Sequence, residues 1–195
     1  MKKIIIILNI WRLLIPIYFW TTNKNIKNIL KQDLDKLSYA IPNTHKMIGF
    51  LQALIFNLPF RAVFYYRIND YKAIREFQKL LLPNKREIEI SGDIKGGLVI
   101  FHGQATVFHC HSAGENLSVF QSVTVGKNPS CSDNGRIIPI IGDNVNIYTG
   151  SILIGGITVG NNVDIAANSV VINDIPDNCV VAGSPAKIVK IKETI

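Results

Sequence analysis

Cysteine is sparse in this chain: Cys110, Cys131 and Cys179 are the three among 195 residues. No Cys-x-x-Cys pair occurs, so neither a disulfide framework nor a structural zinc site is expected. Sparse thiols suit a reducing compartment, and a cytoplasmic location, at the inner face of the plasma membrane, is expected. Low-complexity runs are also lacking. Acidic residues are scarce in one part only. Residues 1–86 carry 15 Lys/Arg against 4 Asp/Glu, a net +11. Residues 87–195 carry 6 against 10, a net −4. The basic residues are scattered through helical-looking segments and match no nucleic-acid motif, so no nucleic-acid partner is expected. Attraction to anionic lipid headgroups uses the same charge.

An uninterrupted apolar run long enough to span a membrane is missing too. MKKIIIILNIWRLLIPIYFW opens like a signal peptide, but no small-x-small cleavage site follows. A span wants about 20 apolar residues. Asn9, Arg12 and Pro16 break this one, and a central Arg costs about 2.5–3.5 kcal/mol on insertion scales. A segment docked on its own protein, or lying at a membrane surface through residues 1–20, fits better. Trp11, Tyr18 and Trp20 are its interfacial anchors.

What is present divides by period. Residues 21–83 read as helices. Ile26, Ile29, Leu30, Leu34 and Leu37 recur at three- and four-residue steps. HKMIGFLQALIFN follows the turn signal IPN. Asp70 is the expected N-cap of a further helix, with Ile74, Phe77 and Leu81 on one side and Pro83 ending it. After residue 86 the helix period vanishes. Ile141, Ile147, Leu153, Val159, Ile165 and Val171 stand six apart without a slip. Four positions after each come Val145, Ser151, Ile157, Val163, Ser169 and Ile175. The same phase precedes residue 126, at Val107, Ala113, Val119 and Val125. Gly and Asn fill the turns, whose backbone conformations other residues resist. Neither a helix nor a hairpin has a six-residue period. A parallel β-helix does, with three hexads to a triangular coil of about 18 residues. The stretch 127–139 is polar and out of phase, so it is expected to loop out of the coil. The expected organisation is a basic helical region (1–86), a β-helix (87–190) and a tail (191–195).

The segments GGLVIFHG, FQSVTVG, IGDNVNIYTGSILIGGITVGNNVDIAANSVV and DIPDNCVVAGSPAKIVK resemble the hexapeptide-repeat acyltransferases. Within these, the chain resembles the serine acetyltransferase branch and its polysaccharide O-acetyltransferase relatives. The resemblance implies a left-handed β-helix, a homotrimer with active sites between subunits, acetyl-CoA as donor, a hydroxyl as acceptor, and no metal. It places the family's histidine base on His102. The carboxylate that orients it falls on Glu87 by ungapped count, or on Glu89 by the I-E-I pattern. In the serine enzymes an aspartate precedes the histidine, and an Arg-His pair precedes the later proline. Here those positions hold Phe101, and Ile137 and Ile138, with Arg136 one further back. A serine carboxylate needs a fixed cation. These departures favour a cell-surface saccharide acceptor, lipid-linked or a precursor, over serine; a non-catalytic scaffold is the third class.

In the expected chemistry His102 takes the acceptor proton as the hydroxyl attacks the thioester. Amides at the turn around Gly103 are expected to meet the oxyanion. Phe101, His109, His111 and Arg136 are the candidate acceptor contacts. Alternation puts His109 and His111 on one side of a strand and Cys110 on the other. Thr149, Gly150, Ala166 and Ala167 are the candidate wall of a CoA groove, with Lys187 and Lys190 for the CoA phosphates.

Overall fold

The computed structural model describes residues 2–38, 46–84, 87–130 and 135–193. Cys131 and the middle of the predicted loop, the IPN turn, and the last two residues of the tail lie outside these. Residues 2–22 form α1 (Lys2–Leu8), a 3-10 turn (Ile10–Leu13) and α2 (Leu14–Thr22). Then come α3 (Lys24–Asp35), α4 (Met47–Phe56), α5 (Leu58–Arg67) and α6 (Lys72–Leu81). Asn23 caps α3 by accepting from the Ile26 amide at 3.0 Å. Asn57 caps α5 by accepting from the Phe60 amide at 2.9 Å, with Pro59 in the first turn, where its missing N–H costs nothing.

The helices share an apolar core of Leu13, Phe19, Trp20, Leu30, Leu34, Phe50, Leu54, Phe64 and Ile68. Phe50 is its centre: Trp20 stacks on it at 4.6 Å between ring centroids. Phe60 and Phe64 meet it edge-on at 6.2 and 5.8 Å. No single helix among the described residues is long and apolar enough to cross a membrane. The bent pair α4 and α5 passes by composition, but its apolar side chains fill this core.

The rest is a parallel β-solenoid of about 5 turns. Its strands are β1 (Ile88–Ile94), β2 (Val99–Ile100), β3 (Thr106–Ala113), β4 (Ser118–Val119), β5 (Thr124–Gly126), β6 (Ile140–Ile141) and β7 (Asn146–Ile147). β8 (Ile152–Ile154), β9 (Thr158–Val159), β10 (Asp164–Ile165), β11 (Val170–Val171), β12 (Cys179–Gly183) and β13 (Ala186–Ile191) follow. β13 folds back antiparallel on β12; every other pairing is parallel. Regular coils step by 18 residues, as in Asn146 beside Asp164 and Ile140 beside Thr158. Ser118 beside Asn146 and Thr124 beside Ile152 step by 28. Ten residues therefore leave the coil between β5 and β6, where the sequence predicts a loop.

The interior holds the predicted hexad residues from Ala113 to Val171, all buried. Each buried Val, Ile or Leu contributes about 1.5–3 kcal/mol. One predicted interior position is wrong. Val107 is exposed, and Phe108 pairs in register with Val125 and is buried instead. Phe108 stands five residues, not six, before Ala113, because β3 runs unbroken across a corner and Cys110 also turns inward. The turns are tied by side chains: Asp143 accepts from the Glu115 amide at 2.7 Å, Asn161 from the Asp143 amide at 2.8 Å, and Asp177 from the Asn161 amide at 2.7 Å. A Cβ on Gly114 collides with the Asp143 carboxylate and its backbone, which demands glycine there.

Candidate active site

His102 lies at the first corner after β2. Its φ is +64°, and the Gly103 amide donates back to the Phe101 carbonyl at 2.7 Å. The histidine thus centres a three-residue turn in a conformation that a bulky residue rarely adopts, and such strain clusters at functional sites. The turn throws the imidazole outward, exposed. It also commits the Gly103 amide, so this donor is not the open oxyanion contact predicted.

Two cavities meet at His102, and it is the one residue that lines both. The first, about 380 Å³, is walled by Glu87, Ile88, Phe101 and Gln104 of the coil and by Phe56, Asn57, Leu58 and Pro59 of the helices. The junction of α4 and α5 therefore roofs the base. The second is a more open groove of about 590 Å³ along successive corners. Phe120, Gln121, Tyr148, Thr149, Asp164, Ala166, Ala167 and Val180 line it.

The structure brings together some of the predicted residues and separates others. Glu87 shares the first cavity with His102. Glu89 does not line it; it sits in register with the exposed Val107 on the outer face of β1. Thr149, Ala166 and Ala167 share the groove with His102, while Gly150 forms the adjoining corner at φ +69°. Lys187 and Lys190 are exposed on β13; Lys190 is in register with Val180 at the groove's far end. His109 and His111 are exposed and outside both cavities; the Ser91 hydroxyl bonds the His109 Nδ1. Arg136 donates to the Gly156 carbonyl at 2.6 Å and to Thr158 Oγ1 at 3.1 Å and lines neither cavity at His102. Cys110 faces the interior, and burial pushes its thiol up to about 12, which removes the thiolate at neutral pH.

Sequence reasoning missed an aromatic column. The amides of Phe101, Phe120 and Tyr148 donate to the carbonyls of Val119, Ile147 and Ile165, one coil on each time, at 2.8–3.0 Å. Their rings adjoin: Phe101 stacks on Phe120 at 4.6 Å between centroids, and Tyr148 meets Phe120 at 5.0 Å with the planes tilted by 34°. The signal was available, since each follows an interior aliphatic directly and Ala166 continues the series with a small side chain.

No protein-family model matches the chain. Over 105 residues it is 40% identical to serine acetyltransferase of Staphylococcus xylosus and 38% identical to that of Staphylococcus aureus strain Mu50. Each match takes in 53% of this chain and 48% of the relative, so the chain spans about half the length of the curated relatives it matches. Among solved structures, Neisseria gonorrhoeae serine acetyltransferase in complex with serine superimposes at a TM-score of 0.65 and 27% identity. That match covers 87% of this chain and 71% of the other. Brucella abortus serine acetyltransferase with coenzyme A, at 22% identity and a TM-score of 0.68, shares the fold over 90% of this chain and 72% of its own. The chain thus shares the β-solenoid fold of these serine acetyltransferases and is similar to them in sequence over about half its length. The matched relatives are serine acetyltransferases, which overturns the expectation of a saccharide O-acetyltransferase. That expectation rested on the local departures at Phe101, Ile137 and Ile138. A few positions at the acceptor wall carry less than a 105-residue similarity.

Proposed function

We propose that this chain is an acyltransferase, a serine O-acetyltransferase with acetyl-CoA as donor. The observation that carries the reading is the place of His102, shared by a cavity holding a carboxylate and a groove of small side chains. Acetyl-CoA lies in the groove against Thr149, Ala166 and Ala167, with Lys187 and Lys190 toward its phosphates. Serine enters the smaller cavity. His102 takes the proton from the serine hydroxyl as the oxygen attacks the thioester carbon. Glu87 holds the other ring nitrogen and stabilises the imidazolium. Collapse of the tetrahedral intermediate breaks the C–S bond, and the imidazolium returns its proton to the departing CoA sulfur. Phe101 stands where the serine enzymes hold an aspartate at the acceptor wall, and its ring offers the serine ammonium a cation–π attraction of about 0.5–2 kcal/mol. The assembly is a homotrimer with the sites between subunits, which lets Arg136 of one subunit approach a neighbour's acceptor carboxylate.

Incubation of the purified chain with acetyl-CoA and single acceptors tests this. Free CoA and O-acetylserine should appear together, with serine alone as acceptor. Absence of CoA release with serine, while another hydroxyl compound supports it, overturns the reading.

A further inference from the structure

We infer that α6 and the first two helical segments form one docking face for an anionic membrane surface. The first observation is an inverted helix. α6 is strongly amphipathic, yet its apolar residues point outward. Phe77 is 55% and Leu80 78% exposed, Ile74 is exposed too, and the residue α6 buries is polar Gln78. Ile74 and Phe77, predicted to share one side of the helix with Leu81, are thus both on its solvent side, with Leu81 half-buried. Gln78 is buried because its amide donates to the Arg12 carbonyl at 2.8 Å, while Arg12 Nε donates to the Leu81 carbonyl. A polar seam thus joins α6 to the 3-10 turn, and the apolar side of α6 is left facing solvent.

The second observation is that this seam joins two exposed apolar stripes. Asn23 bonds the Tyr71 hydroxyl at 3.2 Å, and Phe19 meets the Tyr71 ring at 4.9 Å. With the Arg12 contacts, these run α6 antiparallel along residues 12–23. Leu14 and Tyr18 are exposed on that segment and Trp11 just before it, at 58%, and Ile4, Ile7 and Leu8 are exposed on the preceding α1, Leu8 at 70%. Scattered apolar residues on a surface need no explanation, but two adjoining stripes ending in Trp and Tyr do.

The third observation selects the occupant. Residues 1–86 carry a net +11. Lys24 and Lys72, both exposed, flank the Asn23–Tyr71 bond. Glu76, the one acidic residue of α6, is held by Arg75 at 2.6 Å and by Lys79 at 3.0 Å. A second copy of the same face brings like charge against like charge, whereas anionic headgroups complement it. The inference is independent of the serine reading, since it involves none of the residues around His102.

The test uses the full chain and vesicles of phosphatidylcholine with about 30% phosphatidylglycerol, against pure phosphatidylcholine, on the anionic-lipid logic of surface helices. The chain should float with the anionic vesicles and be released at high salt. The paired variant Phe77→Glu, Leu80→Glu should lose binding at least about tenfold, with its circular dichroism spectrum and acetyl transfer unchanged. A Trp20→Phe variant leaves Trp11 as the sole tryptophan; brominated anionic lipid should quench its emission. The inference is overturned if the chain ignores anionic vesicles at low salt. It is equally overturned if Trp11 stays unquenched, or if Phe77→Glu, Leu80→Glu abolishes self-association rather than vesicle binding.

Discussion

His102 holds two properties that pull against each other, an αL backbone and a bulky side chain. Non-glycine residues in such regions cost of order 1–3 kcal/mol and persist where the surroundings fix them. His102→Gly should therefore leave thermal stability equal or higher while acetyl transfer falls by about 10²–10⁴, the usual worth of a positioned base. A His102→Gly enzyme within tenfold of wild type would remove the base assignment. The sequence leans to Glu89 over Glu87 on the local I-E-I pattern, with a two-residue gap separating the two alignments. The coil separates them physically, since only Glu87 reaches the cavity that His102 lines. Glu87→Gln should lower kcat at least about tenfold with a smaller change in KM, as expected for a group that steadies the imidazolium. Glu89→Gln should do neither, and the reverse result reassigns the carboxylate. Cys110 gives a prediction in pH. Burial raises its thiol from about 9 to about 12, so above pH 9 the unfolded chain sheds a proton that the folded chain keeps. Its contribution is intact below pH 9 and is lost as pH rises toward 12, at up to about 1.4 kcal/mol per pH unit. Denaturant melts across that window should show a shallower decline for Cys110→Ser; an unchanged slope contradicts the buried, neutral thiol.

Elements meet at one buried ion pair. Asp33 of α3 accepts from Arg67 of α5 through both oxygens at 2.9 Å, and from the Leu98 amide of the first coil at 2.8 Å. Arg67 also donates to the Ile94 and Lys95 carbonyls. Beside it the Tyr66 hydroxyl donates to the Gly92 carbonyl at 2.8 Å and accepts from the Ile94 amide. The helices are stapled to the solenoid here, and the same docking sets the α4–α5 junction over His102. Asp33→Ala strands a buried guanidinium and should cost about 3–5 kcal/mol in a urea melt. Asp33→Asn keeps an acceptor and should cost less; equal losses would argue that packing, not charge, makes the joint. None of this was legible in the sequence, where Asp33 and Arg67 are two charges 34 positions apart. The hexads were legible because every coil repeats one local demand, an aliphatic inward and a turn after it. The reading failed at Val107, where β3 crosses a corner and changes the count, and it left the direction of α6 open. Periodicity shows that a helix has an apolar face but not which way that face turns. The seam through Gln78 and Arg12 decides that, and it is made of polar residues that no hydrophobic pattern flags.

At the scale of the molecule, the outer faces of the coil bear on assembly. On one face the side chains that alternate with the interior stack in register: Val107, Thr124, Ile152 and Val170. Three of the four are aliphatic and β-branched. Val107 is 40% exposed and the others are half-buried. A charged or mixed surface is the rule for an outer sheet face, so an aliphatic strip there suits burial against another copy. Three subunits of 21.7 kDa make an assembly of about 65 kDa, which sedimentation equilibrium resolves from a monomer. Ile152→Glu adds a charge at the middle of the strip, where its burial in an interface costs several kcal/mol. It should shift the chain to monomer. If the sites are completed between subunits, acetyl transfer should fall in proportion to the trimer lost, and recover as protein concentration drives reassembly. Arg136→Ala should then raise KM for serine in the trimer, because its reach to the acceptor depends on the neighbouring subunit. A monomeric Ile152→Glu chain with full activity would confine the whole site to one chain. The acceptor carboxylate would then need a cation other than Arg136, which bonds Gly156 and Thr158 and lines neither cavity at His102.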